Sequence, residues 1–186
     1  MFNKSHQKGS ITLYTGPMFS GKSSALRATM LRYYKTSVPR KCIVVRPSID
    51  IRNDGCVKTH SGDELHMETV CVDNIMDCVD KLGEYDVIGF DEIQFFDDAV
   101  EACLKLRNQG KHVYASGLIA TSDNKMWKTI INLMPHCDVI KKFKSICAVC
   151  GCDEGIYSRR KIVNNDEVCI GGSDVYVSVC YECDFI

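Results

Sequence analysis

Residues 16–23 read Gly16-Pro17-Met18-Phe19-Ser20-Gly21-Lys22-Ser23, a complete G-x-x-x-x-G-K-S/T loop. No other stretch constrains the fold as much. In such a loop the glycines let backbone N–H groups wrap a polyphosphate. Lys22 reaches the β- and γ-phosphates, and the Ser23 hydroxyl ligates Mg²⁺. The loop works only between a strand and a helix, and the sequence supplies both. Ser10-Ile11-Thr12-Leu13-Tyr14-Thr15 is β-branched and aromatic-rich, and residues 24–34 are long and apolar enough for a helix.

The same alternation continues downstream. Residues 41–46 form an apolar run stopped by Pro47, a second strand, and residues 47–66 carry turn formers and read as a long functional loop. A helix is expected over 74–82, then a buried strand over 85–90 that ends in Asp91-Glu92. Residues 97–109 read as a helix capped by Asp97 or Asp98 and stopped by Gly110, followed by a strand over 112–116. A helix over 125–133, ended by Pro135, and a last strand over 138–141 complete the series. Strands alternating with helices predict a parallel sheet with helices on both faces. From about Phe143 the texture changes to cysteine pairs, glycines and short strands. That change sets a boundary between residues 1–142 and 143–186.

A chain of 186 residues fits one domain with a small appendage. Its net charge of −1 gives no basic field to attract nucleic acid or a membrane surface. The N-terminal residues lack the apolar core of a signal peptide, and no run is long enough to span a bilayer. A cytoplasmic protein is expected, in which the 12 cysteines serve as thiols or metal ligands rather than disulfides.

Phosphoryl chemistry on such a loop needs an acidic residue at a nearby strand end to hold hydrated Mg²⁺. Asp91 follows Val87-Ile88-Gly89-Phe90 at that place, and Glu92 is its neighbour. Two adjacent carboxylates can divide the work, Asp91 serving the metal and Glu92 taking a proton from an acceptor. The plainer alternative is a surface Asp-Glu pair capping a strand. Of Phe95 and Phe96, one is expected in the core and one at the mouth of the cleft.

Cys147-x-x-Cys150 and Cys180-x-x-Cys183 are two knuckles separated by 29 residues. Two such turns complete a tetrahedral Zn²⁺ site, and four thiolates leave no open position, so the metal is structural. A redox dithiol is the weaker reading, because two knuckles are present. Cys152 competes as a ligand but breaks the spacing. Cys42, Cys71, Cys78 and Cys103 lie on apolar segments and read as core thiols.

Between the knuckles, residues 167–179 read as two short strands around Gly171-Gly172. With this hairpin in place the chain resembles the type II, or cellular-type, thymidine kinases. The resembling residues are the 16–23 loop, Asp91-Glu92 with Gln94-Phe95-Phe96, the four knuckle cysteines, Ile170-Gly171-Gly172, and Tyr176 with Ser178-Val179-Cys180. They run through almost the whole chain in the family's order. The resemblance implies an α/β fold, a P-loop (RecA-like) parallel sheet with helices on both faces, plus a small C-terminal zinc-binding lasso domain. It implies ATP-dependent phosphorylation of the thymidine 5′-hydroxyl, with Mg²⁺ accompanying ATP. By the same resemblance Glu92 is the catalytic base and Arg52 a phosphate contact. Phe95 packs on the thymine, and Met18, Leu118, Ser158 and Tyr176 enclose it. Glu167, Val168, Cys169, Ile170 and Gly171 match the lasso that closes over the nucleoside. A homotetramer inhibited by thymidine triphosphate is implied as well.

One segment departs from the family. Ser122 stands where the family has a base-contacting Phe, and Asn124 where an Arg is common, while Trp127 keeps the later aromatic. This bears on the base pocket and on selectivity among deoxynucleosides, not on phosphoryl transfer. Two rival readings remain at this level. A P-loop ATPase motor or signalling NTPase would need no small acceptor. A zinc-ribbon nucleic-acid module would use the cluster Lys141, Lys142, Lys144, Arg159, Arg160 and Lys161, which a solvated face explains better.

Overall fold

The computed structural model describes residues 8–50, 67–161 and 171–184. β1 (Ser10–Gly16) runs into α1 (Lys22–Tyr34), followed by β2 (Cys42–Pro47), β3 (Glu68–Val72) and α2 (Val79–Leu82). Next come β4 (Val87–Phe90), α3 (Ala99–Asn108), β5 (His112–Leu118), α4 (Lys128–Leu133) and β6 (Val139–Lys142). The first six strands pair in parallel in the order β3-β2-β4-β5-β1-β6. A separate antiparallel pair, β7 (Tyr157–Arg160) and β8 (Tyr176–Val179), stands at the C-terminal end of the chain.

Successive strand residues point to opposite faces, and both faces are covered. Ile43 and Val45 of β2, Ile88 and Phe90 of β4, and Val113 and Ala115 of β5 pack toward Leu82, Leu106 and Ile130 of the other three helices. The intervening Cys42, Val44, Val87 and Tyr14 pack with Leu26 and Met30 of α1. Each fully buried aliphatic side chain in these two layers contributes about 1.5–3 kcal/mol. No helix among the described residues is long and apolar enough to cross a membrane.

Several elements differ from expectation, each for a tertiary reason. β3 was not foreseen. It is a half-exposed edge strand held by its register with β2, and its Cys71 is exposed rather than a core thiol. The helix expected over 74–82 shrinks to α2, because Met76 N–H donates to Asp98 Oδ2 (2.7 Å) and fixes a turn there. Asp98 does stand at the α3 N-cap, but its side chain serves this contact and makes no cap bond. α4 begins at Lys128 because the residues before it close a small loop through the Ala120–Met126 bridge. Among the described residues the strand that pairs with β8 is β7. Residues 167–170, the upstream half of the expected hairpin, lie outside them.

Candidate active site

The phosphate loop needs two glycines for separate reasons. At Gly16 a Cβ would lie 2.5 Å from the Phe143 carbonyl oxygen, so only glycine lets the chain pass. Gly21 is left-handed (φ 81°) and stands at the α1 N-cap, where a side chain would strain the turn into the helix. Lys22 is buried, and its Nζ donates to the Pro17 carbonyl (2.6 Å) and to Ser20 Oγ (3.4 Å). Ser20 Oγ also donates to Pro17 O (2.8 Å), so the loop is folded around its own lysine.

The sheet order brings Asp91 to this loop. β5 lies between β1 and β4, and Ser116 on β5 donates to Asp91 Oδ1. The same oxygen accepts Ser23 Oγ (2.8 Å) and the Glu92 backbone N–H (3.2 Å). Two residues 68 positions apart are thus in contact where a phosphate-bound cation would be shared.

Glu92 adopts a left-handed backbone (φ 52°) at the head of a single 3₁₀ turn, Ile93–Phe95. Such a conformation costs a non-glycine residue about 1–3 kcal/mol and persists only where the surroundings enforce it. Here the enforcement is visible. Gln94 is buried and donates from Nε2 to Glu92 Oε2 (2.7 Å), while its Oε1 accepts the Leu118 N–H (3.1 Å). Gln94 therefore ties the Glu92 carboxylate to the end of β5.

A cavity of about 260 Å³ collects most of the expected site residues. Met18, Phe19, Ser20, Gly21, Lys22 and Ser23 line one side and Glu92 another. Phe95, Leu118, Ser122, Trp127, Ser158, Gly171 and Tyr176 complete its wall. Phe96 is fully buried in the core, so the two phenylalanines divide as expected. Phe95 meets Trp127 edge-on at 5.5 Å between ring centroids. Ser158 Oγ accepts the Met18 N–H (2.9 Å), joining β7 directly to the phosphate loop. Gly16, Pro17 and Asp91 are not on the cavity wall. Arg52, Glu167, Val168, Cys169 and Ile170 lie outside the described residues.

The wall also includes residues that sequence reasoning passed over: Ile49, Asp50, Thr121 and Arg160. Asp50 is buried against Arg46 (2.5 Å), a pairing made across the turn that follows β2 and not signalled by helical spacing. Arg160 donates to Tyr176 OH (3.3 Å) and stacks over its ring, with 6.0 Å from guanidinium to centroid. The solvated basic face is therefore corrected in part. Arg159 and Arg160 are half-buried and partnered, while Lys144 pairs with Glu154 at the exposed surface.

Cys147, Cys150, Cys180 and Cys183 bring their sulfur atoms within 4.8 Å of one another, a cluster that can hold a metal ion. Cys152 Sγ lies 3.4 Å from Cys150 Sγ but outside that set. Backbone N–H groups, that of Cys150 first, pull the Cys147 thiol down to about 6, while burial pushes Cys183 up. Thiolate character at Cys147 is what a metal ligand needs.

A family model described as thymidine kinase matches residues 9–184. The thymidine kinase of vaccinia virus (strain Western Reserve) is 35% identical over 175 residues, covering 94% of this chain and 96% of the viral one. The cytosolic thymidine kinase of Bos taurus is 35% identical over 181 residues, covering 97% of this chain and 74% of its own. Among solved structures, the ATPase DotB of Legionella pneumophila superposes with a TM-score of 0.50 at 14% identity. That match covers 75% of this chain and 42% of DotB, and it bears on the fold alone.

Proposed function

The chain belongs to the thymidine kinase family, and from that membership we propose how its residues divide the work. The reaction is ATP-dependent phosphorylation of the thymidine 5′-hydroxyl to thymidine monophosphate, a salvage step. One observation carries the assignment of roles. A single cavity is walled at once by Lys22 and Ser23, by Glu92, and by Phe95, Leu118 and Trp127. Groups suited to the phosphates, to the acceptor hydroxyl and to a flat base thus share one cavity.

The 16–23 loop cradles the ATP phosphates with its backbone N–H groups, Pro17 having none and that of Met18 being held by Ser158 Oγ, and Lys22 with Arg52 neutralises charge on the transferring group. Ser23 and Asp91 are the residues that would hold Mg²⁺, which supplies charge neutralisation across the phosphates. Glu92 accepts the proton as the thymidine 5′-oxygen bonds to the γ-phosphorus and ADP departs. Met18, Phe95, Leu118, Trp127, Ser158 and Tyr176 enclose the thymine, and residues 167–171 close over the nucleoside. Closure excludes water, which would otherwise divert the phosphoryl group to hydrolysis. Cys147, Cys150, Cys180 and Cys183 would hold a structural Zn²⁺ that would anchor residues 143–186, a lasso domain appended to the kinase domain of residues 1–142. The family reading extends to a cytoplasmic homotetramer inhibited by thymidine triphosphate. Scoring phosphorylation across a panel of nucleosides with ATP tests this. Thymidine should outrank deoxycytidine and the purine deoxynucleosides, and equal turnover of all four would overturn the base assignments.

Ser122→Phe is expected to raise the thymidine KM. Trp127 already fills the aromatic side of the cavity against Phe95, and overpacking a filled pocket costs about 1–3 kcal/mol. Trp127→Ala should raise it too. An unchanged KM in both variants would mean that neither position touches the base.

Purified protein should carry one zinc per chain by elemental analysis. Losing any one of the four cysteines should raise the nucleoside KM before it unfolds the P-loop core, because the metal clamps the ends of the 150–180 segment rather than the sheet. Metal-free protein with disulfides between these cysteines would contradict the assignment.

A further inference from the structure

The Arg159 side chain is heavily committed at the junction between the metal knuckles and the cavity. Its Nη1 donates to the Ser122 carbonyl (2.7 Å), to Asn124 Oδ1 (3.0 Å) and to the Ser158 carbonyl (3.2 Å). On its other edge, Nη2 donates to Asp184 Oδ2 (2.5 Å), and Nε lies 2.5 Å from Oδ1 as an ion-pair contact. Its guanidinium also lies 4.9 Å from the centroid of the Tyr157 ring. One planar fork thus joins β7, the turn after the second knuckle, and the loop over 119–127.

That loop is closed on itself. Thr121 N–H donates to Lys125 O (2.8 Å), Asn124 N–H to Thr121 O (3.1 Å), and the Asp123 and Lys125 N–H groups to Thr121 Oγ1 (3.3 and 3.2 Å), with the Ala120–Met126 bridge below and Asn124 left-handed at the tip (φ 61°). Thr121 and Ser122 line the cavity, with Trp127 at the loop's end. The internal bonds fix the loop's shape, and contacts from outside it fix where that shape stands against the cavity. Arg159 grips the Ser122 backbone and the Asn124 side chain, and Asp184 fixes Arg159 from the side of Cys183. Only an arginine presents enough donors in one plane to do this, since a lysine is a single point charge.

We infer that Arg159, oriented by Asp184, is a positioning residue that sets the 119–127 wall of the base pocket and links it to the metal knuckles. The inference rests on the cavity being the nucleoside site. It assigns Arg159 no contact with substrate. The consequence is a pocket wall at Ser122 whose backbone is held from outside the loop.

The test compares Arg159→Gln, Arg159→Lys and Asp184→Asn with Phe95→Ala, measuring KM for thymidine and for ATP, kcat, and zinc per chain in the intact protein. Charge-assisted hydrogen bonds of this kind carry enough energy that their loss should raise the thymidine KM about tenfold. The ATP KM should stay within about twofold, because the phosphate loop keeps its own bonds. Arg159→Lys should resemble Arg159→Gln, since it retains the charge opposite Asp184 but not the fork. Zinc content should be unchanged in all. A thymidine KM unmoved in the Arg159 and Asp184 variants, while Phe95→Ala raises it, overturns the inference and leaves the pocket assignment standing. Equal rises in both KM values overturn it as well, because the role would then be general stability. If Phe95→Ala has no effect on the thymidine KM, the pocket assignment falls and this inference with it. Should Arg159→Gln not fold, the Asp184→Asn and Arg159→Lys results decide alone.

Discussion

Glu92→Gln is expected to lower kcat by about 10²–10⁴-fold, the usual worth of a general base, with both KM values nearly unchanged. The substitution suits the local geometry. The Gln amide oxygen can accept from Gln94 Nε2 where Glu92 Oε2 does now, so the left-handed turn and the tie to β5 survive. What is lost is the site that accepts the 5′-hydroxyl proton. A variant retaining more than half the wild-type kcat would show that Glu92 is not the base.

Lys22→Ala is expected to cut turnover by about 10²–10³-fold, in line with removing one preorganised group that stabilises transition-state charge. Two causes add in this case. The ammonium is lost from the transferring phosphoryl group, and the loop loses the internal bonds from Nζ to Pro17 and Ser20. Lys22→Met also removes both but keeps the side chain's bulk, so it shows whether lost volume adds to the effect. If charge and hydrogen bonds dominate, the two variants should fall together. Normal thymidine phosphorylation by Lys22→Ala would mean that the 16–23 loop does not hold the ATP phosphates.

The parts legible in the sequence were those governed by local chemistry. The phosphate loop, the acidic end of β4, each cysteine knuckle and the apolar strand runs depend on neighbours a few residues away. Parts governed by distant partners were not legible. β3 is a short edge strand whose exposed and half-buried residues do not alternate strictly, so it resembles a loop until β2 is beside it. Asp98 looked like a helix cap, but its carboxylate is drawn to Met76, 22 positions earlier. Arg159 and Arg160 sat in a basic run that composition assigns to solvent. Their partners Asp184 and Tyr176 arrive only when β7 and β8 pair and the second knuckle folds back. The cavity wall shows the same division. Phe95 and Leu118 were expected from the family's pattern, whereas Asp50 and Arg160 became site residues only through packing.

The account's central claim is that the cavity between the phosphate loop and Glu92 transfers the γ-phosphoryl group of ATP to a bound thymidine. Its most direct test is to incubate the protein with γ-labelled ATP, Mg²⁺ and thymidine, then to follow the label. The label should appear in thymidine 5′-monophosphate, with ATP consumption dependent on added thymidine and both lowered together in Glu92→Gln. ATP hydrolysis that proceeds equally without thymidine, with the label recovered only as inorganic phosphate, would contradict the account and favour an NTPase that has no nucleoside acceptor.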